Sequence, residues 1–110
     1  MQLLVTGATG KVGQAFLKRF LADPARSGAT VVAICNNRSI DESDRVRVIR
    51  GSMADAAVVD SAMANTTHVV HLAAVKEDPA HAIDVAVKGT FLLLEAFRKD
   101  PSAQQFLLIG

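Results

Sequence analysis

Three glycines stand at a fixed spacing near the start of the chain, in Thr6-Gly7-Ala8-Thr9-Gly10-Lys11-Val12-Gly13, between an apolar run and a helical pattern. A strand that ends in a glycine can turn sharply, because no Cβ opposes the bend at Gly7. A second glycine, Gly10, lets the backbone come close to a pyrophosphate, and a third, Gly13, lets the following helix sit tight against the sheet. The unpaired N–H groups and the positive dipole end at the start of that helix attract phosphate. This chemistry predicts dinucleotide binding, with Gly7, Thr9, Gly10, Lys11, Val12 and Gly13 around the pyrophosphate. The spacing is G-x-x-G-x-x-G, one residue longer in its first interval than the common G-x-G-x-x-G fingerprint. Its position between strand and helix is what gives it meaning.

A second group of candidates lies at Ala33-Ile34-Cys35-Asn36-Asn37-Arg38. Dinucleotide folds place an Asp or Glu after the second strand to bond the ribose 2′-OH of NAD, or an Arg nearby for the 2′-phosphate of NADP. No carboxylate stands here, and Cys35 takes the position an acidic residue would fill. Asn36, Asn37 and Arg38 are therefore candidate contacts to the adenosine ribose. Arg38 can hold a phosphate in a bidentate pair, or it is a solvated loop charge. The cofactor expected is NADP or NAD, with the missing carboxylate favouring NADP.

Other reactive side chains offer less. His68 and His71 are three apart on a predicted strand, so they face opposite ways and cannot share a metal. His81 falls at a helix start and is read as solvated, and Glu77 and Asp78 are read as helix-start residues rather than an acid/base pair. Cys35, the single cysteine, makes no internal disulfide and reads as a small apolar filler. No metal site is expected.

The elements that must hold these residues are legible from periodicity. Apolar, β-branched runs predict strands over Gln2–Thr6, Thr30–Cys35, Val46–Ile49, His68–Leu72 and Phe106–Ile109. The third is partly polar and belongs near a sheet edge. Val12, Ala15, Phe16 and Phe20 recur at helical spacing over Lys11–Ala22, with Pro24 as a stop. Asp55 caps a short helix running through Met63. Asp78-Pro79 opens the longest helix, which runs to about Lys99 with Pro101 beyond it. Ile83, Val87, Phe91, Leu94 and Phe97 form one apolar stripe on that helix, and Val85, Leu92, Leu93 and Ala96 form another. One stripe suffices for a sheet, so a later part of the chain or a partner subunit is expected on the second.

Strands alternating with helices predict an α/β class. The expected form is a three-layer Rossmann fold with a parallel doubly wound sheet of order 3-2-1-4-5 and its ligand crevice where strands one and four part. The 110 residues form one domain's worth of chain, half of them apolar. A net charge of +1 argues against nucleic acid, which needs a clustered basic face. No apolar stretch approaches the ~20 residues of a membrane span. Met1-Gln2 leads directly into the first strand with no room for a signal peptide, so a cytoplasmic protein is expected. The final Phe106-Leu107-Leu108-Ile109-Gly110 is an apolar strand without a polar tail. The sequence is therefore expected to be the first part of a longer protein, truncated after strand five.

TGATGKVG at the N-terminus, His71-Leu72-Ala73-Ala74 closing strand four, and Val87-Lys88-Gly89-Thr90 followed by Leu93-Leu94-Glu95-Ala96 form a set. With them the chain resembles the extended short-chain dehydrogenase/reductases, the NAD-dependent epimerase/dehydratase family, along its whole length. The resemblance implies an NAD(P)-binding domain over 1–110 and hydride transfer, on a nucleotide sugar or a related carbonyl or hydroxyl substrate. It implies that Ser52 and Met53 flank the adenine, although many relatives carry Asp where Ser52 stands. It implies backbone contacts from Lys11 and Val12 at the pyrophosphate, and passage of Leu72, Ala73 and Ala74 beside the ribose and phosphates. Lys76 stands where some sugar-nucleotide epimerases carry a lysine near the cofactor, and it reads equally as a surface lysine. Ala86 departs from the Asn usual in relatives, which removes one polar contact. The resemblance further implies a catalytic Tyr and Lys with a Ser or Thr, all after strand five. No tyrosine occurs in these residues, so no catalytic residue is assigned. The expected partners are the dinucleotide, a small-molecule substrate in the full-length protein, and a second copy of the chain through the 79–99 helix. A second reading is a non-catalytic regulator of the same fold that senses NAD(P)H.

Overall fold

A computed structural model describes residues 1–72 and 79–108, and for 79–86 and 108 the backbone alone. Five parallel strands, β1 (Gln2–Thr6), β2 (Thr30–Cys35), β3 (Val46–Arg50), β4 (His68–His71) and β5 (Gln105–Leu108), form one sheet. Their order is β3-β2-β1-β4-β5, as the sequence predicts. Three helices, α1 (Lys11–Ala22), α2 (Ala56–Met63) and α3 (Pro79–Lys99), make three of the four crossovers, and residues 36–45 carry β2 to β3 without a helix.

Strand parity builds the two core layers. On one face Leu3, Val5, Val31, Ala33, Cys35 and Val70 pack against Leu17 and Phe20 of α1. On the other, Leu4, Val32, Ile34 and Val69 pack against Val59, Ala62 and Met63 of α2 and Leu93 of α3. A strand with both faces covered is apolar along its buried stretch, which is why Leu3 to Val5 of β1, Val31 to Cys35 of β2 and Val69-Val70 of β4 are continuous apolar runs. β3, with pattern Val-Arg-Val-Ile-Arg, lies at the sheet edge. Cys35 is buried in the α1 layer.

The structure differs from the sequence reading in several places: β3 runs on to Arg50 and β4 ends at His71, each one residue from its predicted end. β5 begins at Gln105, which pairs with His68, one residue before the predicted Phe106. Backbone pairing includes a polar residue that hydropathy passes over, and Ile109 lies outside the described residues. Pro24 does more than stop α1: it begins a single 3-10 turn, Pro24–Arg26, capped by the Asp23 carboxylate, which accepts from the Ala25 amide. Phe97 joins the core with Leu92 and Ala96 instead of the outer stripe. At about 100° per residue, Phe97 stands about 40° from Leu93 and about 80° from Val87 around the helix. Val87, Phe91 and Leu94 do face outward, at 66, 60 and 47% exposure. Arg45 pins the α1–β2 connection by donating to the carbonyls of Leu21, Arg26 and Ala29.

Candidate functional site

β1 delivers the chain to the centre of the sheet, where its neighbours β2 and β4 lead to crossovers on opposite faces. Gly7 then turns with φ of 74°, a left-handed conformation that an L side chain adopts only at a cost. Gly10 N–H closes the turn on the Gly7 carbonyl at 3.2 Å. A Cβ at Gly13 would lie 2.1 Å from the Gly7 carbonyl oxygen and 2.8 Å from Ala8 Cα. The third glycine is therefore demanded by contact between the helix and its own turn. Among the described residues a Cβ at Gly10 would meet only the Gly7 carbonyl, at 3.5 Å, an ordinary contact. None of the described residues requires glycine at position 10.

Gly10 is the residue that precedes α1, and it offers no side chain to cap the helix. The first-turn amides at Lys11, Val12 and Gly13 thus stand at an uncapped helix start. Lys11 and Val12 are exposed. Space above Gly10, unpaired donors beneath it and the positive end of the helix dipole fit a pyrophosphate.

The rim of this turn is organised from the next strand. Arg38, three residues past β2, donates to the Thr9 carbonyl, which also accepts from Gln14 Nε2 at 2.7 Å. The guanidinium is held against the glycine turn and is not a free loop charge. Asn36 and Asn37 are exposed between Cys35 and Arg38. Beyond β3, Ser52 Oγ accepts from the Ala54 amide, and Met53 is buried where α3 comes close. A Cβ on Gly89 would lie 2.4 Å from Met53 Cε, so the Gly89 noted in sequence lets α3 close over Met53. Leu72 leaves β4 with its amide on the Thr6 carbonyl and Thr6 Oγ1. Ala73, Ala74 and Lys76 lie outside the described residues, as do Glu77 and Asp78. The side chains of His81, Ile83, Val85 and Ala86 do too.

One group was missed in the sequence. His71, buried at the end of β4, is hydrogen-bonded through Nδ1 to Thr6 Oγ1 (2.6 Å) and through Nε2 to Thr90 Oγ1 (2.8 Å). Burial pushes its pKa down from the ordinary histidine value. Thr6 and His71 are register partners in the β1–β4 pair, so strand parity together with the register would have found them. His68 bonds instead to its neighbour Thr67. Among the described residues no three His, Cys, Asp or Glu gather into a metal-binding group.

A parallel sheet of order 3-2-1-4-5, helices on both faces and a glycine turn leaving the central strand define a Rossmann-type fold. Residues 3–110 match the NAD dependent epimerase/dehydratase family, to which the chain belongs. A dTDP-glucose 4,6-dehydratase of Mycolicibacterium smegmatis is 34% identical over 110 residues, covering 90% of this chain and 33% of that protein. Among solved structures, the Bordetella bronchiseptica enzyme WbmG, in complex with NAD and UDP, superposes with a TM-score of 0.82 at 27% identity. That match covers 96% of this chain and 36% of the other. Uronate dehydrogenase from Agrobacterium tumefaciens gives a TM-score of 0.76 at 27% identity, over 96% of this chain and 39% of that one. The chain spans about a third of the length of the curated relatives it matches. Among the described residues no helix is long and apolar enough to cross a membrane.

Proposed function

We infer that these residues form the dinucleotide-binding part of an NAD(P)-dependent epimerase, dehydratase or dehydrogenase. The observation that carries this is the uncapped start of α1 under Gly10, where the described residues leave room for a ligand and no described side chain competes for the amides. Lys11, Val12 and Gly13 amides hold the pyrophosphate, and Thr9 and Gly10 shape the approach. Asn36, Asn37 and Arg38 lie along the adenosine ribose, Ser52 and Met53 along the adenine. Leu72, Ala73 and Ala74, with Lys76 beyond them, run beside the nicotinamide half. When bound, the nicotinamide supplies a hydride acceptor and donor. The chain's own part is to hold it at the crevice between β1 and β4.

Arg38 against the glycine turn, with no carboxylate at the end of β2, favours NADP over NAD. The named relatives act on nucleotide sugars or uronates, or hold NAD and UDP, and a nucleotide sugar or related carbonyl or hydroxyl compound is the substrate class we assign. Catalytic groups come from chain beyond these residues. The exposed Val87, Phe91 and Leu94 of α3 suit pairing with a second copy, and the protein works in the cytoplasm.

Fluorescence titration of the full chain with NADPH and NADH tests this reading. The wild type binds both, NADPH more tightly, and Arg38→Ala erases that preference. Gly10→Val lowers affinity at least ~100-fold through its clash with the pyrophosphate while the far-UV spectrum is unchanged. Wild-type affinity in Gly10→Val refutes the site.

A further inference from the structure

Helix α3, strand β4 and strand β1 are tied together at the crevice by one run of side-chain hydrogen bonds. Thr90 Oγ1 bonds His71 Nε2, His71 Nδ1 bonds Thr6 Oγ1, and Thr6 Oγ1 accepts the Leu72 amide at 3.1 Å. Thr6 immediately precedes Gly7, and Leu72 is the first residue after β4, so the run ends on both lips of the crevice. The His71 ring is closed off from solvent at 2% exposure and lies edge-on to Phe106, ring centroids 6.2 Å apart. A buried imidazole of this kind needs a partner on each nitrogen, and here the two partners sit on two different elements. Neither hydroxyl is required for packing, since valine has the same shape as threonine.

We propose that His71 is a positioning residue: bridging Thr90 to Thr6, it holds the Gly7 turn and the Leu72 exit at the separation that receives the dinucleotide. It touches neither the pyrophosphate amides nor the ribose contacts assigned above. Its effect passes through Thr6 to the turn and through the Leu72 amide to the segment beyond β4. Thr90, on the far side of the ring, acts at one further remove. This inference rests on the reading of the glycine turn as a dinucleotide site and adds what presets its width.

The test uses the full chain carrying Thr90→Val, Thr90→Ser and His71→Phe, titrated with NADPH, with amide hydrogen exchange followed at Leu72. Thr90→Val is the informative variant, because it keeps shape and removes only the hydroxyl. It weakens NADPH binding by about tenfold, as the loss of one biasing hydrogen bond lowers the fraction of binding-competent chains. Exchange at Leu72 quickens in parallel, and Thr90→Ser restores both readings to the wild type. His71→Phe weakens binding at least as much. A merely structural role lowers melting temperature in Thr90→Val and leaves the affinity of the folded chain unaltered, and that result overturns the proposal. So does an unrescued loss in Thr90→Ser. Absence of NADPH binding by the wild type sinks the reading of the turn and this inference with it. Normal wild-type binding with unaffected variants removes the role of His71 alone.

Discussion

Among the described residues two strand–turn–helix units are built on similar lines, and they end differently. After β1 the backbone turns at Gly7 and enters α1 with no side-chain cap. After β3 it turns at Gly51, with φ of 151°, and enters α2 under Asp55, whose carboxylate accepts from the Ala57 amide. Ser52 Oγ takes up the Ala54 amide in the same turn. The space beside Gly51 is filled by the Val58 side chain, 2.6 Å from where a Cβ would stand. Among the described residues the space above Gly10 is bounded only by the Gly7 carbonyl, at 3.5 Å. One helix start carries a side-chain cap from its own chain and the other carries none, which is why we read the uncapped start as the ligand site. A glycine-rich turn becomes a phosphate site only when no neighbouring side chain answers the amides first.

Three perturbations separate the units. Gly13→Ala puts a methyl group into the backbone of the first turn, where no side chain can rotate away. It costs about 3 kcal/mol of stability, seen as a lower midpoint in urea, and takes binding down with the fold. Asp55→Ala removes the cap of the second unit, costs about 1 kcal/mol in the same assay, and leaves NADPH affinity unchanged. An affinity loss there as large as in Gly10→Val would erase the distinction between the two helix starts.

The smallest effect is one of pH, and it belongs to the first unit, which His71 reaches through Thr6. Burial lowers the folded-state pKa of His71. The unfolded chain therefore takes up a proton near the ordinary value of about 6.5 while the folded chain refuses it. His71's contribution is complete above that value and is lost as the pH falls from there toward the folded pKa. Urea midpoints measured between pH 8 and 5 decline below about 6.5, and His71→Phe flattens that part of the decline. An equal decline in His71→Phe assigns it to other groups.

Much of the fold was legible because strands covered on both faces leave distinct apolar patterns, as in Val31 to Cys35; on α1 the predicted stripe held at Phe20, whereas Val12 is exposed and Leu17 enters the core. What stayed hidden depends on pairing across the chain. His71 could be excluded from sharing a metal with His68 by parity alone, but its bond to Thr6 requires the β1–β4 register. Arg38 could not be placed from sequence, because its bond to the Thr9 carbonyl joins the exit of β2 to the glycine turn. Arg45 had no signature at all, since its three acceptors are backbone carbonyls of another connection. The glycine spacing marked the turn between β1 and α1 and already gave Gly13 a packing role, but the sequence placed that packing against the sheet. The distances place it against the turn itself, at Gly7 and Ala8.

The most direct test is an amide-resolved NMR titration of the full chain with NADPH, comparing Lys11, Val12 and Gly13 at the start of α1 with Ala56, Ala57 and Val58 at the start of α2. The account predicts large, saturating shifts at the first three and small ones at the second three, with a single affinity that Gly10→Val abolishes. Unmoved amides at Lys11 to Gly13 under saturating NADPH would contradict it.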